Sequence, residues 1–135
     1  NNLYFSTYNI NSPEGGLFKY YNNKLTDISK QTNIKSKALW CLFYDNETQL
    51  LWVGTDGNGL YKVDLSKQIQ FLNSEFFGLD ELQIQELYND ENNITWIGAK
   101  DYIIKLHPDL SFQIMDKATL WNNNIKLKMD SLHLI

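Results

Sequence analysis

Short apolar runs separated by polar turns organise this chain. The stretch from residue 38 to residue 73 contains four such runs, and the first is apolar on both faces. One face would carry Leu39, Cys41 and Phe43, and the other Trp40, Leu42 and Tyr44. Runs of this length, rich in aromatic and aliphatic residues, predict β-strands that are covered on both sides. The Asp-Gly pair at 56–57, followed by a second glycine, predicts a hairpin between the second and third strands.

A structural unit is repeated along the chain, because residues 45–64 align with residues 90–109. Trp52 then matches Trp96, and a more divergent first copy has Tyr4 at the same position. Repeats of about 40 to 50 residues built from short strands are typical of β-propeller blades, each a sheet of four antiparallel strands. We therefore expect a single all-β domain of about three blades, forming a partial or open β-propeller. The repeats cover approximately residues 1–30, 38–73 and 82–116, and a tail covers residues 117–135.

Two tryptophans and two glycines form the expected framework between blades. Stacked blades bury their faces against each other, so Trp52 and Trp96 would be large buried wedges in equivalent places. Gly54 and Gly98 follow these tryptophans at the same spacing. They would leave room where the neighbouring sheet approaches closely.

Two segments fit the repeat less directly. Residues 78–90 have apolar residues at helix-like spacing, but the alignment predicts a strand in their second half and only a short helical turn near Leu79. Residues 122–130 alternate apolar and polar positions, and this strand would complete the first blade or begin a fourth. Three blades leave an apolar face uncovered, so we expect a fragment of a larger propeller or an oligomer.

Composition and charge disfavour two classes of partner. The net charge is −4 and all 12 basic residues are lysines, so no arginine fork is available for phosphate groups. The acidic balance repels nucleic acid, and we expect no nucleic-acid binding. No stretch reaches the ~20 apolar residues of a membrane-spanning helix. We therefore expect no insertion into a membrane, and the sequence shows no signal-peptide pattern.

No pattern in the sequence predicts a catalytic, metal or cofactor site. Cys41 is the sole cysteine and lies in an apolar run, which indicates a small buried residue rather than a nucleophile. His107 and His133 fall at unrelated positions of the repeat and would not share a metal ion. Gly57 and Gly59 lead into a strand, which disfavours a phosphate-binding loop, and the turn lacks the further acidic ligands of a calcium loop.

The motif LWVGTDGNGLYKVD at residues 51–64 resembles the two-component regulator propeller repeat. The later copy keeps Trp-Ile-Gly at residues 96–98 but lacks the glycine-rich turn. This repeat is typical of the periplasmic sensor regions of hybrid two-component systems, with a histidine kinase and a response regulator, in Bacteroidetes. The resemblance implies a periplasmic β-propeller that responds to carbohydrate breakdown products. It therefore implies a non-catalytic sensor fragment in signal transduction, linked to a kinase that this sequence does not contain.

Propellers generally bind ligands at one end, where loops of successive blades meet. The alignment puts residues 8–15, 55–59 and 99–102 at equivalent positions, so these loops should emerge at the same end. The candidate ligand-binding residues are Tyr8, Asn9, Asp56, Asn58, Lys100, Asp101 and Tyr102. The tyrosines would stack on a sugar ring, the lysine would pair with an acidic sugar, and the others would hydrogen-bond to hydroxyl groups. The alternative for Asp56 and Asn58 is that they only form the turn.

Two other functions stay open. The propeller would act as an interaction scaffold without a small ligand, with other blades or a second copy of the chain as partners. The third hypothesis is an enzyme resembling streptogramin lyase. Such an enzyme would need a histidine or paired carboxylates that converge from several loops. Asp56 and Asp101 stand at matching loop positions, but no histidine accompanies them, which makes the enzyme the weakest of the three.

Overall fold

Three antiparallel sheets make up the fold in the computed structural model, which describes residues 2–9, 11, 15–66 and 69–122. The first sheet contains β1 (Leu3–Ser6), β2 (Leu17–Tyr21) and β3 (Lys24–Asp27). The second contains β4 (Leu39–Asp45), β5 (Leu50–Thr55), β6 (Gly59–Asp64) and β7 (Ile69–Asn73). The third contains β8 (Ile84–Asn89), β9 (Thr95–Ala99), β10 (Tyr102–Leu106) and β11 (Phe112–Asp116). Strands pair in chain order within each sheet, so the all-β prediction is confirmed.

The three sheets share one cross-strand pair. An aromatic residue faces a lysine in each of them: Tyr4 opposite Lys19, Trp52 opposite Lys62, and Trp96 opposite Lys105. The Lys62 ammonium lies 5.3 Å from the Trp52 ring centroid, and the Lys105 ammonium lies 5.6 Å from that of Trp96. Both distances are within the range of cation–π attraction. These registers agree with the sequence alignment, which put Tyr4, Trp52 and Trp96 at one position of the repeat.

The second sheet is buried on both faces because it packs between the other two. One buried cluster joins it to the first sheet and contains Leu17, Leu39, Leu51, Val53, Tyr61 and Val63. The other joins it to the third sheet and contains Trp52, Leu60, Leu72, Ile84, Ile97 and Ile104. Alternate residues of β5 point to opposite faces, which is why Trp52 and its neighbours in sequence belong to different clusters.

Strand β4 departs from the alternation that its sequence predicts. Its pairing with β5 shifts between Leu39 and Cys41, and Trp40 between them is 52% exposed. Leu39 therefore packs towards the first sheet together with Leu42, whereas Cys41 packs towards the third. The prediction that Leu39 shares a face with Cys41, and Trp40 with Leu42, is wrong, because an extra residue in one strand reverses the alternation. Strand β8 has the same irregularity after Ile84.

The two framework glycines have different surroundings. A Cβ atom at Gly54 would lie 2.6 Å from Cys41 Sγ and 2.6 Å from Ile84 Cγ2, so a side chain there would collide with the third sheet. The corresponding atom at Gly98 would come no closer than 3.6 Å to a described residue, the Cβ of Glu86. Glu86 belongs to the neighbouring strand of the same sheet, so no described element of another sheet approaches Gly98 closely. The close approach of a neighbouring sheet at Gly98 therefore stays a prediction.

The segment between the second and third sheets contains a short 3-10 turn at Glu75–Phe77. Gly78 ends this turn in a left-handed conformation with φ of 69°, which glycine adopts without strain. The helical turn thus lies just before Leu79, near the position that the sequence predicts. The second half of the segment forms β8, which confirms the strand that the repeat predicts.

The end of the described chain is helix α1 (Lys117–Asn122). The strand predicted at residues 122–130 falls almost entirely outside the described residues. Among the helices that the structure describes, none is both long and apolar enough to cross a membrane.

Candidate functional site

Hydrogen bonds at one end of the sheets tie the loops of the first and second sheets to the segment that leads into the following sheet. The Asn9 N–H donates to the Lys37 carbonyl at 2.9 Å, which joins the loop of the first sheet to the segment before β4. The Leu82 N–H donates to the Gly57 carbonyl at 3.3 Å, which joins the loop of the second sheet to the segment before β8. Successive loops are therefore held side by side at this end, which we call the loop end.

Two exposed aromatic rings and a carboxylate meet at the loop end. The Tyr8 hydroxyl donates a hydrogen bond to Asp56 Oδ2 at 2.7 Å. The ring centroids of Tyr8 and Trp40 are 5.2 Å apart and their planes are nearly perpendicular, at 86°. Tyr8 is 46% and Trp40 is 52% exposed, so one face of this corner is open to solvent. The hydrogen bond to Asp56 raises the pKa of Tyr8 above its usual value.

The backbone fixes the position of this corner. The Asp56 N–H donates to the Ala38 carbonyl at 3.0 Å, so the turn after β5 is anchored beside the start of β4. The bulge in β4 then leaves Trp40 outside both cores, next to Tyr8. Trp40 was not among the candidate residues predicted from the sequence. One feature of the sequence indicated that Trp40 is exposed. The equivalent residue at the bulge of β8 is Gln85, and a polar residue at that position is typical of a site open to solvent.

A second group of candidates lines a cavity of about 160 Å³ beside the third sheet. Lys100, Asp101 and Tyr102 line it together with Asp80 and Glu81. The cavity is smaller than the usual range of ligand pockets, about 300–1,000 Å³. Its three carboxylates outnumber its one ammonium group, which is unfavourable for the acidic sugar expected to pair with Lys100.

The two asparagine candidates make local turn contacts, and within the described residues neither hydrogen-bonds to Tyr8 or Asp56. The Asn9 side-chain carbonyl accepts a hydrogen bond from the Asn11 N–H at 3.3 Å, a local turn contact. The Asn58 N–H donates to Thr55 Oγ1 at 3.1 Å within the glycine-rich turn. Asn58 itself lines a different groove, next to Phe71 of β7. The structure thus brings Tyr8 to Asp56, and separately groups the three candidates of the third sheet.

The remaining reactive residues do not converge on the loop end. Cys41 is half-buried, and desolvation raises the pKa of its thiol to about 12, so the thiol stays protonated at neutral pH. His107 follows the last residue of β10, at the opposite end of the third sheet from Lys100. His133 lies outside the described residues. Within the described ranges, no group of three or more His, Cys, Asp or Glu side chains is arranged to hold a metal ion.

Comparison with known proteins gives a likeness of fold. No protein-family model matches this chain, and no curated protein matches it significantly. Two crystal structures of the extracellular domain of BT4673 from B. thetaiotaomicron do resemble it, with TM-scores of 0.65 and 0.62 at 21% and 20% identity. One describes that protein as a putative one-component system and the other as a putative hybrid two-component system. Each match covers 85% of this chain but only 15% of the neighbour's chain.

Proposed function

We propose that this chain is part of the extracytoplasmic, periplasmic sensor domain of a two-component signalling protein and binds a carbohydrate-derived ligand at its loop end. The structural neighbours are extracellular domains of such a system, which supports a sensor outside the cytoplasm. The chain itself is non-catalytic in this proposal, and the kinase that it would control is implied only by the resemblance of its repeat.

The corner formed by Tyr8, Trp40 and Asp56 is the observation that carries the proposal. Aromatic rings bind the apolar faces of sugar rings, and a carboxylate beside them accepts hydrogen bonds from hydroxyl groups. Asp56 is held in place by its hydrogen bond to Tyr8, so the corner is organised before a ligand arrives. The Glu81 carboxylate lies beside Gly57, the residue after Asp56, and this second negative group makes a neutral saccharide the best match.

The three sheets would be blades of a larger β-propeller. In the second sheet, Leu51 and Val53 pack against the first sheet. The register gives Leu3 and Phe5 the same positions in the first sheet, yet they are 54% and 47% exposed. The first sheet therefore has an exposed apolar face at the position where the second sheet contacts its neighbour. This implies that another blade covers the exposed face. Further blades of the same protein are therefore the first partners that we infer.

Titration of neutral oligosaccharides by calorimetry tests the ligand site. Trp40→Ala removes one ring of the corner and should weaken binding by about tenfold, the upper end for an aromatic contact. Tyr8→Phe keeps the ring but releases Asp56, and we expect a smaller loss of about threefold, in the range of a single hydrogen bond. The matched control is Tyr88→Ala, which removes a tyrosine that is 51% exposed on β8.

A neutral saccharide that binds the unaltered chain, Trp40→Ala and Tyr8→Phe equally would exclude the corner as its site. In that case Tyr102→Ala and Asp101→Ala decide whether the cavity of the third sheet binds it instead.

A scaffold without a small ligand is the second candidate, and the exposed face of the first sheet favours it. At high micromolar concentration we expect light scattering to detect association of the chain, because this apolar face is uncovered. Leu25→Lys introduces a charge where the side chain is 60% exposed and should shift the mass towards the monomer. The control is Leu65→Lys, at a residue that is 41% exposed outside this face. A monomeric unaltered chain would contradict this expectation.

A further inference from the structure

Successive sheets pack together in different ways near β7 and β11, the last strands of the second and third sheets. Between the second and third sheets, the 3-10 turn inserts the ring of Phe77 and places the more exposed ring of Phe76 beside it. The Phe76 and Phe77 ring centroids lie 5.5 Å and 5.0 Å from that of Phe112 on β11. Phe77 is only 3% exposed, so this gap is closed by apolar packing.

On the face of the second sheet that is turned towards the first, the space beside β6 and β7 is only partly filled. The linking segment at residues 28–38 crosses it, and Ile28 and Ile34 join the buried cluster. Towards the loop end, however, the same segment leaves a groove of about 640 Å³ beside β6 and β7. Its volume is in the range of ligand pockets, about 300–1,000 Å³. We call this the inter-sheet groove, lined by Asn33, Lys35, Asn58, Tyr61, Phe71 and Asn73.

An aromatic platform forms one side of the inter-sheet groove. Tyr61 and Phe71 are cross-strand neighbours, and their rings stack at 4.3 Å with an interplanar angle of 23°. Tyr61 is 6% exposed and anchored in the core, whereas Phe71 is 42% exposed. The buried ring thus supports an exposed one, which is a rigid surface for the apolar face of a ligand ring.

Polar groups surround this platform, and they differ in charge from the rest of the loop end. Asn33 and Asn58 are exposed and offer amide donors and acceptors. The Asn73 side-chain carbonyl accepts a hydrogen bond from the Phe76 N–H at 2.9 Å, which fixes its orientation. Lys35 is the charged side chain of this lining, and no carboxylate is among the described residues that line it. On a chain of net charge −4, this groove is therefore a local site for a negative group.

We propose that the inter-sheet groove is a second ligand site, which binds an acidic saccharide. The sugar ring stacks on Phe71, its carboxylate pairs with Lys35, and Asn33 and Asn58 hydrogen-bond to its hydroxyl groups. The proposal rests on the proposed sensor function for the chemical class of the ligand. It uses residues that the Tyr8 corner does not contain, so the two sites succeed or fail separately.

Titration of digalacturonate into the full 135-residue chain at low salt tests the second site. Lys35→Gln removes the positive charge and should weaken binding by about fivefold, the effect of an exposed ion pair at the upper end of its range. Phe71→Leu removes the ring but keeps apolar volume, and binding should fall by about tenfold. The matched control is Lys30→Gln, which removes the same charge from an exposed position on the linking segment. Lys30→Gln and Tyr8→Phe should both bind digalacturonate like the unaltered chain.

Three outcomes would overturn the second site. In the first, Lys35→Gln binds digalacturonate with unchanged affinity, and since Lys35 is exposed, misfolding would not explain the result. In the second, Lys30→Gln weakens binding as much as Lys35→Gln, so that only net charge matters. In the third, inorganic sulfate or phosphate binds as tightly as digalacturonate, so that the sugar contributes nothing. A chain that binds digalacturonate in the groove but no neutral saccharide would support this site and contradict the Tyr8 corner.

Discussion

Replacing Trp52 with alanine is expected to lower the free energy of unfolding by about 3–5 kcal/mol, the usual cost of deleting a buried aromatic side chain. Trp52 is 6% exposed and belongs to the cluster between the second and third sheets. Its deletion would open a cavity at the contact of two sheets, and it would also remove the ring under the Lys62 ammonium. Urea unfolding followed by circular dichroism measures the loss.

Trp96→Ala is the matched control for this prediction. Trp96 has the same cross-strand lysine partner and donates its indole N–H to Asp90 Oδ2 at 2.9 Å. It is only half-buried, however, because it lies on the face of the third sheet that no described sheet covers. Its loss should cost less than half as much as that of Trp52, in contrast to the equal burial that the repeat predicts. A Trp52→Ala cost below about 1 kcal/mol would refute its role as an inter-sheet wedge.

Replacing Gly54 with alanine is expected to destabilise the chain by about 1–3 kcal/mol, because the added methyl group overpacks a filled contact. The new Cβ would lie 2.6 Å from both Cys41 Sγ and Ile84 Cγ2, far inside normal contact distance. The second and third sheets would have to move apart locally to accept it. The midpoint of chemical unfolding gives the change in stability.

Gly98→Ala adds the same methyl group to the equivalent strand. Its Cβ would lie 3.6 Å from the nearest described atom, an ordinary contact, so the change should stay within about 0.5 kcal/mol. Equal destabilisation by the two substitutions would mean that the effect of Gly54→Ala comes from the backbone and not from the contact between sheets.

The strands and their order could be predicted from the sequence because their determinants are local. Alternating apolar residues and Asp-Gly or Asn-rich turns fix each hairpin within about ten residues. The repeat then assigned the second half of residues 78–90 to a strand against their helix-like spacing, and β8 confirms it. The bulge at Trp40 was not predictable from β4 alone, since an extra residue in a ladder depends on the partner strand.

The candidate site could be predicted only as far as the repeat extends. The alignment pointed to the loops of Tyr8 and Asp56, which the structure joins by a hydrogen bond. The alignment could not show that Asn58 lines a different groove from Tyr8 and Asp56, because the direction in which a turn residue points depends on the packing around it. Of the residues that line the inter-sheet groove, only Asn58 was among the candidates predicted from the sequence. One wall of this groove comes from residues 33–36, which lie between two copies of the repeat and have no equivalent in the alignment.

Pairing between consecutive strands has a consequence for how such chains change in evolution. The second sheet forms all its strand pairs within residues 39–73, and the third within residues 84–116. Among the described strands, none of either sheet comes from a distant part of the chain, so duplication or deletion of one unit leaves every remaining ladder intact. A single recombination event can therefore lengthen or shorten the array while its new interfaces reuse the Trp52 and Gly54 positions.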